Sequence, residues 1–396
     1  MRNYSLMTAV LCWSGMVVMS SLYVTIPLVS MFAEQFDVTL TQAATSGSVF
    51  SIGFAIGCLI YGALSDKYGR KPVIFVGLIV LSLISLLLGA VDRFSWILVL
   101  RGLQGAAAAT FSPVALAYAV EMFPAEKRVA TIGFISTGFL VAGIVGQVFS
   151  GSIGQVYGWN AVFYLLAAVY AATSMLVLWL LPKGEVQHPH ANILEPLQQI
   201  GKLFTQKNLM LSYLVALVLL MSFVSVYTVL GNYLSEPDFG LTSEEILSVR
   251  AIGVFGMMIS PFSGKLAKRF GVRTVLRFAL LLAVAGIAPL GTADNLSLLI
   301  GMSLIFVSGI SLAVPSLISL VGQLAGKSRG IAVSVYTFIL FAGTSLGPVL
   351  SIFLMRTGSF AQTFLLLALV LSIGLLAACL IRGEIPEEMG TRQQSS

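Results

Sequence analysis

The segment IYGALSDKYGRKPVIF, residues 60–75, decides how this chain is read. It gathers Asp66, Lys67, Arg70 and Lys71 around Gly62 and Gly69, between two stretches without a charge, Val38 to Ser65 and Pro72 to Val91. Each stretch is long enough to cross a hydrocarbon core of about 30 Å as a helix. A backbone in lipid must satisfy its own hydrogen bonds, so such runs mean membrane-crossing helices. The charged segment then reads as a tight turn between two of them. Glycine supplies the tight backbone geometry, and Lys and Arg hold the turn on one side of the membrane. Asp66 is left over, because an acid at a helix mouth in a basic turn needs a partner where it is partly buried.

The same alternation runs from end to end. The 396 residues are 58% hydrophobic and 10% charged, against roughly 25% charged residues in soluble domains. The ten-residue alternation of a membrane β-barrel is not visible. Apolar length and punctuation by charge, Gly and Pro place spans at about 6–33, 43–64, 72–91, 95–121, 128–153, 161–181, 209–234, 245–264, 274–292, 295–320, 330–355 and 361–381. The uncharged stretch from Val129 to Pro182 is divided by the turn GQVYGWN at 154–160. Arg2 ahead of the run Leu6 to Pro27 resembles the start of a signal peptide, but no cleavage site and polar domain follow, so it reads as the first span. The expected fold class is an all-α membrane protein of twelve transmembrane helices.

Twelve spans put both termini on one side. On that side fall 18 of the 22 Lys and Arg residues, and only Arg93, Arg101, Arg250 and Arg356 map to the other side or just inside it. The positive-inside rule therefore places both termini in the cytoplasm. It also accounts for the net charge of +6 without nucleic acid. Cys12, Cys58 and Cys379 lie scattered in apolar spans, which suits packing rather than a disulfide framework or a metal set. The connection at 183–208 carries His188 and His190, too few ligands for a metal, and reads as a solvated cytoplasmic linker. It separates an N-terminal bundle at 1–182 from a C-terminal bundle with a short tail at 209–396.

The two parts repeat. GALSDKYGRKPV at 62–73 echoes GKLAKRFGVRTV at 264–275, with Gly62 over Gly264 and Gly69 over Gly271 at an offset of 202. Pro113 falls on Pro315 at the same offset, and AGIVGQ at 142–147 answers AGTSLGP at 342–348 within one residue. A half-chain repeat in a membrane protein points to two pseudo-symmetric bundles with a ligand site between them near the midplane.

With G-x-L-S-D-K-x-G-R-K complete from Gly62 to Lys71 after the second of twelve spans, the chain resembles the major facilitator superfamily over essentially its whole length. The likeness is to bacterial twelve-helix antiporters of drugs and metabolites in the cell inner membrane. It implies that Gly62, Asp66, Gly69, Arg70 and Lys71 gate the transporter. Asp66 would reach across the halves near the cytoplasmic end of the eleventh helix, and Arg70 would pair with Glu121 in AYAVEMFP. R-x-x-Q-G at 101–105 matches the family's fourth-helix signature, which the resemblance associates with proton coupling through Arg101, Gln104 and Gly105. An intramembrane Arg faces a cavity or a partner, or snorkels to the interface. Gly138, Gly143, Gly146 and Gly151 line the fifth span. The antiporter signature expected there departs at Gln147 and Ser150, while the second copy has Gly347 and Pro348; close helix packing also explains such glycines.

No Asp or Glu lies in the middle of a span, which leaves Glu34, Asp66 and Glu121 as titratable candidates with Arg101 as a modulator. The helices expected to line the cavity carry Tyr23, Gln104, Phe111, Tyr118, Phe223, Tyr227, Asn232 and Phe306. Aromatic walls with few hydrogen-bonding groups suit an amphipathic solute better than a sugar, although packing or lipid contact would use the same residues. No phosphate loop, catalytic triad or metal cluster is visible, so neither an enzyme nor a cofactor is expected. The expectation is a monomeric, proton-driven exporter of a small amphipathic organic compound within the lipid bilayer. An importer or facilitator of a small metabolite is the alternative of the same fold. A non-transporting membrane sensor is the alternative of another class, and the 26-residue linker and the tail from about Arg382 leave it no signalling domain.

Overall fold

A single residue reverses the chain between the second and third spans. In the computed structural model, α2 (Leu40–Tyr68) and α3 (Arg70–Gly89) are separated by Gly69 alone. The charged turn expected between residues 64 and 72 is thus mostly helix. Leaving lipid does not end a helix; a residue that cannot continue it does. Gly69 has φ 90° and ψ 148°, a conformation that a side chain opposes. Gly271, its partner in the repeat, has φ 81° and ψ 148° and joins α8 (Glu245–Phe270) to α9 (Val272–Thr292) in the same way.

The remaining spans are α1 (Tyr4–Tyr23), α4 (Phe94–Met122), α5 (Glu126–Tyr157), α6 (Trp159–Leu180), α7 (Lys207–Ser235), α10 (Leu296–Leu324), α11 (Arg329–Met355) and α12 (Phe360–Leu380). The structure describes residues 3–184, 200–293, 295–356 and 358–381, and among them twelve helices are long and apolar enough to cross a membrane. Arg2, His188, His190, Arg382 and Arg392 lie outside the described residues. In the first bundle α1 lies along α5, α2 along α4 and α3 along α6; in the second α7 lies along α11, α8 along α10 and α9 along α12. The pairings match at the repeat offset, so the two six-helix bundles are pseudo-symmetric.

Local chemistry explains where the helices start and break. Capping boxes open α2 (Thr39 with Gln42), α8 (Thr242 with Glu245) and α12 (Ser359 with Gln362), all at the end away from Gly69. The first span stops at Tyr23 rather than 33, because Pro27 has no N–H for the Tyr23 carbonyl; a turn and the short helix Val29–Phe36 follow. Breaks at 109–111 in α4 and 258–262 in α8 precede or contain Pro113 and Pro261, whereas Pro315 and Pro348 sit inside continuous helices. The linker's last residues are not free in solvent: Leu203 of the helix Ile200–Thr205 is buried, and the Phe204 ring lies 5.5 Å from Tyr213.

Between helices in lipid, close backbone approach does much of the work that apolar burial does in water. A Cβ on Gly105 would stand 2.0 Å from the Phe50 carbonyl oxygen, and one on Gly138 2.5 Å from that of Cys12.

The contacts between the halves gather at the Gly69 end. Phe54 of α2 meets Phe341 of α11 edge-on at 4.7 Å, and Thr137 of α5 donates to the Met257 carbonyl of α8 at 3.2 Å. Further out, the same helices turn to their own bundles: Gly47 faces Thr25, Gly143 faces Tyr23 and Gly347 faces Val224. The halves therefore enclose a cleft closed at the Gly69 end and open at the other.

Candidate functional site: an ionic cluster below an aromatic cleft

The closed end is built on Arg70, which is 5% exposed. Its Nε lies 3.2 and 3.3 Å from the two Glu121 oxygens, and Nη2 is 2.7 Å from Glu121 Oε1. Nη2 also pairs with Asp66; Nη1 donates to Ser65 Oγ and, at 3.2 Å, to the Gly62 carbonyl. One guanidinium thus joins the end of α2, the start of α3 and the end of α4. Such multiple, charge-assisted bonding suits the rigid fork of arginine and not the point charge of lysine. Lys71 binds elsewhere, its Nζ donating to the Leu178 carbonyl at 2.7 Å and capping the end of α6.

Two carboxylates around one guanidinium leave excess negative charge, and this charge faces the other half. The Asp66 oxygens lie 3.1 and 3.2 Å from where a Cβ on Gly330 would stand, in the first turn of α11. Helix N-termini carry partial positive charge, so the ionic cluster and the α11 terminus attract across the interface. The approach depends on bare glycine, because a Cβ on Gly62 would stand 1.7 Å from Ser334 Oγ.

The repeat-related crossing closes the other flank without charge. A Cβ on Gly264 would stand 2.8 Å from the Ala130 nitrogen, and one on Gly133 2.7 Å from the Ser260 carbonyl. At the offset of 202, Lys268 and Val272 take the places of Asp66 and Arg70. An ionic cluster of the first half borders one crossing, and the other is a plain backbone contact. Gly133, Ser260, Gly330 and Ser334 were missed in the sequence; Gly264, matched to Gly62 by the repeat, was the signal that pointed there.

Arg101 does not snorkel. It is 0% exposed inside the first bundle. Nη1 donates to the Ser21 carbonyl at 2.9 Å and to Gln104 Oε1 at 2.6 Å; Nε reaches the Ser46 carbonyl at 3.4 Å, and the guanidinium lies 4.3 Å over the Phe50 ring. Gln104 passes the chain on to Ser85 Oγ at 2.9 Å. Nη2 makes no hydrogen bond, and the buried Tyr170 hydroxyl lies near Ser21 and the guanidinium. Glu34 is not part of this cluster: it is exposed on the short helix Val29–Phe36, in a shallow hollow with Met31, Gln35, Gly158 and Trp159.

The cavity candidates divide. Tyr23, Phe223 and Tyr227 are half-buried, with Phe223 5.1 Å from Tyr227 and 6.3 Å from Phe306. Phe111 and Phe306 are fully buried behind such residues. Tyr118 is buried too, and its hydroxyl donates to the Pro182 carbonyl at 2.9 Å, tying α4 to the end of α6 away from the cleft. Asn232 is exposed and caps its own helix through Thr228. Gly146 packs on Ser20, Gly151 on Pro27 and Gly347 on Val224, while Pro348 follows in the α11 interior.

Comparison with known proteins agrees with this architecture. The family model described as Major Facilitator Superfamily matches residues 11–339 and 238–396. The chain is 28% identical over 334 residues to the MFS-type transporter YybF of Bacillus subtilis, covering 82% of this chain and 80% of the relative. It is 27% identical over 274 residues to the multidrug resistance protein MdtG of Citrobacter koseri, 67% of each chain. Its fold is similar to that of the Escherichia coli fucose:proton symporter FucP, with a TM-score of 0.77 at 16% identity over 97% of this chain and 100% of that one. Twelve helices in two pseudo-symmetric bundles, joined at one end by a glycine-dependent close contact beside an ionic cluster, and a family match across the chain lead to one conclusion: this protein is a transporter belonging to the major facilitator superfamily.

Proposed function

We propose that this chain exports a small amphipathic organic compound by alternating access, driven by the proton gradient. The observation that carries the reading is the asymmetry of contact: Gly62 meets Ser334 and the Asp66, Arg70 and Glu121 cluster meets Gly330 at the Gly69 end, while half-buried aromatic residues line the other. The excess of Lys and Arg at the sealed end supports a cytoplasmic position for it and for both termini. The conformation is then outward-facing, and breaking the seal would populate the inward-facing one. Likeness to MdtG, a multidrug resistance protein, supports drug or metabolite efflux. The FucP likeness, to a proton symporter, favours the proton as coupling ion, and through it the import alternative is kept.

Cells expressing the protein should accumulate more of a true substrate when an uncoupler collapses the proton gradient; an unchanged level would support a facilitator instead. Asp66→Asn removes the charge that faces the α11 terminus and leaves Arg70 paired with Glu121. Transport is expected to fall at least about tenfold, the factor equivalent to ~1.4 kcal/mol, with membrane levels unchanged. Full activity in that variant would refute the gating role.

A further inference from the structure

Arg250 is a cation that the fold leaves largely unused. It lies half-buried on α8, and its one hydrogen bond among the described residues runs from Nη2 to the Tyr227 carbonyl of α7, 2.9 Å away. Its Nε is buried and bonded to nothing. No carboxylate of the described residues lies within salt-bridge distance of it. The placement is built: a Cβ on Gly231 would stand 2.4 Å from Nη2, so the guanidinium is seated against the α7 backbone. Beside it the Tyr227 hydroxyl is buried next to Ser303, and Gly253 leaves the room for it, since a Cβ there would lie 2.4 Å away. Phe223 and Phe306 extend the wall behind Tyr227.

The height in the cleft is set by helical rise. Thr137 of the first half bonds to the Met257 carbonyl at the top of the closed end. Arg250 lies seven residues further out on α8, roughly 10 Å at 1.5 Å per residue. Arg101 offers no such opportunity, being wholly enclosed and bonded to carbonyls of its own bundle. At the repeat offset Ser303 and Phe306 occupy the places of Arg101 and Gln104, so the second half has no cation from α10 and, outward of Met257, has one from α8, Arg250.

An intramembrane arginine without an acid is costly, and so are donors left unmade. A carboxylate entering the cleft would pair with the guanidinium, while the rings of Phe223 and Tyr227 would take a flat apolar body. We infer that the substrate is an organic anion with an aromatic or similarly flat body, its carboxylate held by Arg250. This rests on the transport reading above and names the class of solute for it.

The test compares 1-naphthoate with 1-naphthamide, the same ring system without the charge, by thermal shift and equilibrium binding on the full-length protein in nanodiscs. Wild type should prefer naphthoate by about tenfold or more, as expected for a charge-assisted pair. Arg250→Gln removes the charge and keeps a polar donor on α8, so its ligand-free unfolding temperature should stay near wild type while the preference disappears. Equal response of wild type to both probes, or a preference retained in Arg250→Gln, overturns the assignment. Gradient-driven movement of a cationic dye such as ethidium, without response to naphthoate, overturns it too and leaves transport standing. Naphthoate that binds through Arg250 yet does not move under an imposed pH gradient supports the site and counts against the transport reading.

Discussion

Replacing Gly62 by leucine is expected to abolish transport while leaving the protein folded and in the membrane. Gly62 packs against the opposite half: a Cβ there would stand 1.7 Å from Ser334 Oγ and 2.8 Å from Ser334 Cβ. Neither bundle needs to repack around the new side chain, but the two can no longer meet at this end. Moving a two-state equilibrium from 1:99 to 99:1 takes about 5.5 kcal/mol, and overlap of this depth exceeds it. The rate should fall by more than about a hundredfold, with the protein held open at the Gly69 end. A compensating pair separates this from a folding defect. Beyond Ser334 the next neighbour is the Gly330 carbonyl oxygen at 3.9 Å, so Gly62→Ala should be inactive alone and recover with Ser334→Gly. Initial rates in a double-mutant cycle measure that coupling; additive losses would contradict it.

Arg70→Met is expected to be the most damaging change on the ionic side. Its removal leaves Asp66 and Glu121 without their shared cation and frees the Ser65 hydroxyl and the Gly62 carbonyl. Breaking one partner out of a buried pair costs about 3–5 kcal/mol, with the lower end expected here because the two acids are 19% and 22% exposed. Both the unfolding temperature and the transport rate should drop, the rate below about one hundredth of wild type by the usual conversion of ~1.4 kcal/mol per tenfold. Arg70→Lys restores charge without the fork and should recover only part of the activity. Adding Glu121→Gln to Arg70→Met removes one uncompensated acid and should restore stability more than rate. Wild-type behaviour of Arg70→Lys would show that charge alone suffices.

Much of this architecture was legible because charges are rare. Where only one residue in ten is charged, Lys67, Lys127 and Lys265 mark the ends of spans almost unaided. The repeat was legible because Gly69 and Gly271 solve the same backbone problem with the same dihedrals. The length of the turn was not, since charge reports where a chain leaves lipid, while α2 stays helical to Tyr68 until glycine stops it. The breaks in α4 and α8 were hidden because proline alone does not decide: Pro113 lies at a break and Pro315 inside a helix. Ser334 leaves no local sign of its meeting with Gly62, because the pair is distant along the chain. Arg250 read as a marker of topology, and only the placement of α7 beside α8 reveals its unbonded nitrogen.

If the two halves pivot, closure at the Gly69 end and closure at the opposite end exclude each other. Spin labels on the exposed positions Tyr68 and Gln323 report the first, and labels on the exposed positions Thr41 and Glu236 report the second. Pulsed electron–electron distance measurements on both pairs, across a pH series with and without substrate, test the pivot most directly. The distance distributions should move in opposite senses, the first lengthening as the second shortens, and a Gly62→Leu background should stay at the long Tyr68–Gln323 distance. Distances that change in the same sense, or stay fixed in a protein that still transports, would contradict the pivot.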